Sequence, residues 1–135
     1  INSASKKGKI MKPNVLIVDD QRDIRKLILM TMESEDFNLY EAENGEDAWT
    51  MVQKLQPIIT LIDVMMPGRL DGYQVCEKIK NDAVLEKRTK VILLTARGQS
   101  ADIALGKAAG CDAYLVKPFS PLELLDLVDQ LVATP

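Results

Sequence analysis

From Asn14 onward, short apolar runs alternate with segments of helical period, and this alternation restricts the fold more than any other feature. Val15 to Val18, Ile58 to Ile62, Val91 to Leu94 and Tyr114 to Val116 are nearly continuous in apolar residues. Such runs are the pattern of strands buried on both faces of a parallel sheet. Phe37 to Ala42 alternates more, which suits a strand nearer an edge. Between the runs, one helical face gathers Ile24, Leu27, Ile28 and Thr31, and the next gathers Ala48, Val52 and Leu55. A third gathers Val75, Cys76 and Ile79, a fourth Ala101, Ala104, Leu105 and Ala108, and a fifth Leu124, Leu125, Val128, Leu131 and Val132. Five strand-then-helix units with short connections predict an α/β fold: one doubly wound parallel sheet with helices on both faces, since parallel neighbours need right-handed crossovers. The punctuation agrees. Asn44-Gly45 precedes the second helix, Asp71-Gly72 the third, Ala109-Gly110 ends the fourth, and Ser120-Pro121 supplies an N-cap and an N1 proline to the fifth.

Composition narrows the chemistry. The 135 residues, 47% hydrophobic and 27% charged, fit one globular domain with a packed core. None of the apolar runs approaches the about 20 residues that cross a bilayer. The chain has no histidine, which removes Ser/His/Asp and Cys/His catalysis, His-containing zinc sites and any phosphohistidine role. Cys76 and Cys111 lack CxxC spacing and no signal peptide opens the chain, so a reducing cytoplasm is the expected location. A net charge of -3 argues against a direct grip on nucleic acid or an anionic membrane.

In open sheets of this kind, ligands bind beyond the carboxyl ends of the strands where strand order reverses. The first strand run is followed by Asp19-Asp20, the third by Asp63, the fourth by Thr95 and the fifth by Lys117-Pro118. Each feature alone has an ordinary reading. Asp19-Asp20 and Asp63 suit caps, Thr95 a turn, Lys117 the surface, and Tyr114 a core edge. Together they bring three carboxylates, a hydroxyl and an ammonium to one edge. Clustered carboxylates repel unless a cation intervenes, and Mg²⁺ with its preference for oxygen ligands answers this. One carboxylate then serves as a nucleophile on phosphorus while the metal, Lys117 and Thr95 stabilise the phosphoryl oxygens.

With these residues in view, the chain resembles the receiver domain of two-component response regulators, single-domain chemotaxis receivers included, across residues 14 to 132. The motifs that carry the resemblance are Val18-Asp19-Asp20, Leu61-Ile62-Asp63 with Met65-Met66-Pro67-Gly68, Leu94-Thr95-Ala96, and Tyr114-Leu115-Val116-Lys117-Pro118-Phe119. The resemblance implies a flavodoxin-like sheet of order 2-1-3-4-5 with five helices. It implies that Asp63 accepts a phosphoryl group from the phosphohistidine of a histidine kinase or phosphotransfer protein. Asp19, Asp20, Asp63 and the Met65 carbonyl would hold Mg²⁺, and Lys117 and Thr95 would serve the transfer. Thr95 and Tyr114 would form a switch pair, Thr95 drawn toward the phosphoryl group and Tyr114 rotating inward. The Lys117-Pro118 peptide is expected to be cis. Output would pass through the fourth helix, fifth strand and fifth helix to a partner or an attached domain. The protein is then a phosphoacceptor that catalyses its own phosphorylation and dephosphorylation, not an enzyme with an external substrate.

Departures from the family pattern carry their own expectations. Segment 64–71 is one residue longer than in most relatives, which predicts a bulged loop with metal ligation intact. Gln21 and Ile58 replace common acids and are expected to lie away from the phosphate. The fifth helix exposes Glu123, Asp126, Asp129 and Gln130 without the arginines of transcription-factor receivers, so a monomer or weak dimer is expected. Met65 and Arg97 offer no carboxylate or amide to orient water, which predicts slow dephosphorylation. Two alternatives stay open: a Mg²⁺-dependent aspartyl-phosphate phosphatase, disfavoured by Gln21 where a second spaced acid belongs, and a non-phosphorylating interaction module. Residues 1–12, with Lys6, Lys7 and Lys9, read as a flexible leader or an added, non-native extension, with Met11 as a candidate start. Residues 13–133 read as the domain and 134–135 as its end or a linker start.

Overall fold

The structure, a computed structural model, describes residues 12–96 and 100–134. All of the leader but Lys12 lies outside the described residues, as do Arg97 and Pro135. The strands are β1 (Asn14–Val18), β2 (Asn38–Ala42), β3 (Ile59–Asp63), β4 (Lys90–Thr95) and β5 (Ala113–Val116). The helices are α1 (Arg22–Met32), α2 (Gly45–Leu55), α3 (Gly72–Lys80), α4 (Leu85–Arg88), α5 (Ser100–Ala109) and α6 (Pro121–Ala133). All pairings are parallel and the sheet runs β2-β1-β3-β4-β5.

Strand period 2 sorts the core into two layers. Leu16, Val18, Ile62, Val91 and Leu93 pack with Ala48, Val52, Val75, Cys76 and Ile79 of α2 and α3. Val15, Ile17, Ile59, Leu61, Ile92 and Leu94 pack with Ile28, Met32, Leu124 and Val128 of α1 and α6. A one-residue slip of any central strand would exchange these sets, so the burial itself holds the register. Because β1 lies between β2 and β3, the chain leaves β1 toward one side and later returns to its other side. A crevice opens there, beyond the carboxyl ends of β1 and β3.

The caps sit as expected. Asn44 accepts a hydrogen bond from the Asp47 N–H, and Asp71 with Gln74 and Ser120 with Glu123 form reciprocal capping boxes. Four expectations need correction. There are six helices, not five: Asp82 accepts from the N–H groups of Val84 and Leu85, both at 2.9 Å, and nucleates the single turn α4, whose Leu85 is buried. The fifth strand is not buried on both faces, since β5 closes one edge of the sheet and Val116 is 42% exposed. On α1 the buried stripe is Arg25, Ile28 and Met32, while Leu27 is 40% exposed. Among the described side chains of α5 the buried residues are Gly106 and Ala109, while Ala104, Leu105 and Ala108 are exposed; the side chain of Ala101 lies outside the described residues. The reason on α5 is the Tyr114 ring, which occupies the space where a Cβ on residue 106 would stand. Only glycine lets the helix come down onto that ring.

Candidate functional site

The site grows from the strand ends. Asp63 is the last residue of β3, in register with Leu94, and is 6% exposed. Asp19 extends β1 by one step, its N–H donating to the Ala42 carbonyl at 3.2 Å, and is fully buried. Its Oδ1 accepts from the Gln21 N–H at 2.8 Å, which starts α1 and leaves Asp20 exposed beside it. One carboxylate oxygen from each of Asp19, Asp20 and Asp63 lies within 4.8 Å of the others. Lys117 follows β5, and its Nζ reaches Asp19 Oδ2 at 2.8 Å and Asp63 Oδ1 at 3.3 Å. The Lys117-Pro118 peptide is cis, and the Lys117 N–H donates to the Thr95 carbonyl at 2.7 Å.

Electrostatics follow from this packing. Burial, reinforced by the charge of Asp19, pushes the Asp63 carboxyl up to about 6 against the opposing pull of Lys117 and the Met65 N–H. Burial works to lower Lys117, but the hydrogen bond to Asp19 and the charges of Asp63 and Asp19 outweigh it and hold the ammonium above its usual value. Three carboxylates against one ammonium leave an excess of negative charge in a largely dry crevice. The donor set, all oxygen and mostly buried, fits a hard divalent cation.

The remaining sequence candidates surround this group. Thr95 ends β4, is 4% exposed, and lines a cavity of about 350 Å³ with Val64, Met65, Tyr73, Ala96, Asp102 and Leu105. Met65 lies two residues past the end of β3 with its N–H toward Asp63 and its side chain 75% exposed. Tyr114 is half-buried, its hydroxyl donating to the Ile103 carbonyl on α5. Burial, with Cys111 beside it, pushes that phenol up to about 12. Segment 64–71 closes through the Gly72 N–H to the Val64 carbonyl at 3.2 Å, and the Leu70 N–H donates to Glu46 of α2 at 3.0 Å. Gly72 is required there because a Cβ would overlap the Asp63 carbonyl.

Sequence reasoning missed Arg25. It is 7% exposed on α1, with Nη1 donating to the Asp19 carbonyl at 2.8 Å and Nε to Glu41 at 3.0 Å. The available signal was its place on one helical stripe with Ile28 and Met32.

A family model of the response regulator receiver domain matches residues 15–129. The chain belongs to this family. The receiver is 42% identical over 118 residues to the transcriptional regulatory protein ResD of Bacillus subtilis (strain 168), covering 87% of this chain and 47% of that one. It is 38% identical over 122 residues to SrrA of Staphylococcus aureus (strain NCTC 8325 / PS 47), covering 90% and 48%. The receiver therefore spans about half the length of these curated relatives. Among solved structures, it superposes on the chemotaxis response regulator CheY4 of Vibrio cholerae with a TM-score of 0.81 at 28% identity, covering 90% and 99% of the two chains. The receiver domain of the Francisella response regulator 1452 gives 0.79 at 31% identity, covering 89% and 96%. Phosphorylation on aspartate is the general function of this family. No helix among the described residues is long and apolar enough to cross a membrane.

Proposed function

We propose that Asp63 is the phosphoacceptor of this receiver, with Mg²⁺ held by Asp19, Asp20, Asp63 and the Met65 carbonyl. The observation that carries the reading is the Lys117 ammonium, set between Asp19 at 2.8 Å and Asp63 at 3.3 Å from a strand far away in sequence. An Asp63 oxygen attacks phosphorus, the new O–P bond forms as the P–N bond of a phosphohistidine breaks, and the imidazole leaves with the bond's electron pair. Bound Mg²⁺ supplies charge neutralisation for the phosphoryl oxygens. Lys117 stays near Asp63 and neutralises the incoming oxygens, and Thr95 offers its hydroxyl to one of them. The phosphoryl oxygens carry close to two negative charges where the carboxylate carried one, so Thr95 moves toward them and Tyr114 swings into the space vacated, breaking its bond to the Ile103 carbonyl.

The donor is a histidine kinase or phosphotransfer protein, and the chain catalyses its own phosphorylation and slow dephosphorylation in the cytoplasm as a monomer or weak dimer, with residues 13–133 as the working domain. The expected output face now reads α5, β5 and α6, where Leu105, Val116 and Leu122 are exposed. Incubation with a small-molecule phosphodonor and Mg²⁺ should add one phosphoryl group by intact mass. Asp63→Asn should abolish that gain with the fold intact, and normal labelling of the variant would refute the assignment.

A further inference from the structure

A guanidinium taken out of water survives only with partners that replace its hydration. Arg25 has three: the Asp19 carbonyl at 2.8 Å, Glu41 at 3.0 Å and Glu43 at 3.6 Å. They differ in weight. The side chains of Glu41 and Glu43 are 43% and 73% exposed, and ion pairs to such solvated carboxylates hold little. The bond to the Asp19 carbonyl is buried at both ends. That carbonyl belongs to the peptide joining Asp19 to Asp20, the two acids of the metal cluster, and it lies just past the last β1–β2 pair, Val18 with Ala42. Past that point, the Asp19 N–H to Ala42 and the Gln21 N–H to Asp19 Oδ1 hold one side of the turn. Arg25, in the first turns of α1, adds a bond to the Asp19 carbonyl itself.

We propose that Arg25 is a positioning residue for the acidic turn: by fixing the Asp19–Asp20 peptide it sets the directions in which the two carboxylates present their oxygens to a divalent cation. This inference rests on the metal-binding part of the function proposed above. It assigns Arg25 a task that a mere tie between α1 and β2 would not perform. The two roles differ in what they predict for Glu41 and Glu43. A tie needs the ion pairs, whereas orientation of the turn needs only the carbonyl bond.

The experiment uses the full chain, stripped of metal by chelation and titrated with Mg²⁺ by calorimetry, with the amide resonances of Asp20 and Gln21 followed by NMR. Arg25→Met keeps the apolar stem and removes the donor. It should lower Mg²⁺ affinity by about tenfold or more, the loss typical when an outer partner of a metal ligand is removed, and should shift both amide resonances before metal is added. The double variant Glu41→Gln with Glu43→Gln should bind Mg²⁺ as the unmodified chain does. Unchanged affinity in folded Arg25→Met, or an equal loss in the double glutamine variant, would overturn the proposal. If Arg25→Met does not fold, Arg25→Gln decides the matter: its side chain ends two bonds short of Nη1 and loses the bond to the Asp19 carbonyl, so weakened Mg²⁺ binding supports the role and unchanged binding overturns it. Absence of phosphoryl labelling in the unmodified chain would count against Asp63 as acceptor and leave this result standing, because the titration reads the acidic turn directly.

Discussion

Asp63→Asn should make the metal-free fold more stable, because it removes a charge that the fold holds at a cost. The rise of the Asp63 carboxyl from 3.8 to about 6 is equivalent to about 3 kcal/mol between the neutral and charged forms at neutral pH. Burial is its chief cause, followed by the charge of Asp19, and Lys117 only partly offsets them. The folded chain holds this proton more tightly than the unfolded chain does. The stabilising contribution is therefore fully present below about pH 4 and is lost as pH rises through about 6. Asparagine keeps the shape and never ionises. In chelator at pH 7 the variant should exceed the unmodified chain by about 3 kcal/mol, roughly 10 °C in Tm for a domain of this size. Near pH 4 the two should converge. Urea unfolding followed by far-UV circular dichroism at both pH values, with Tm scans alongside, measures the difference, and comparing the two chains cancels the other carboxylates. Saturating Mg²⁺ should then reverse the order, since a ligand bound only by the folded state stabilises it. A variant no more stable than the unmodified chain at pH 7 without metal would show that Asp63 carries no electrostatic strain.

Two further outcomes follow from the same geometry. Met65→Asn places an amide two residues after the acceptor, where its solvent-facing side chain can orient water, and should speed loss of the phosphoryl group by roughly tenfold or more; decay measured by intact mass after donor removal checks this, and an unchanged rate contradicts it. Gly106→Ala sets a Cβ against the Tyr114 ring and should cost about 1–3 kcal/mol in urea unfolding, a loss that should largely disappear in a Tyr114→Ala background.

Much of this receiver was legible in its linear order because the relevant physics is local. The alternation of apolar runs and helical stripes, the Asn44, Asp71 and Ser120 caps, and the chemistry-bearing residues at strand ends depend on neighbours within a few positions. Strand order came from resemblance to a family, since periodicity cannot say which parallel strands lie side by side. Other features depended on the packing of distant elements. The α5 stripe was misread because that helix is apolar on several sides, and the Tyr114 ring decided which side went down. Val116 looked like core in its run and emerged exposed because β5 pairs only with β4 and closes one edge of the sheet described.

The site divides along the same line. Residue types alone determined that carboxylates, a hydroxyl and a lysine must perform whatever chemistry a chain without histidine undertakes. Only the tertiary structure decided that the Lys117 ammonium bridges two of those carboxylates, that burial lifts Asp63 to about 6, and that Arg25 goes inside to grip the Asp19 carbonyl. The physical reason is that charge energetics depend on through-space distance and on excluded water, and both come into being only when separate strands and helices close over one crevice.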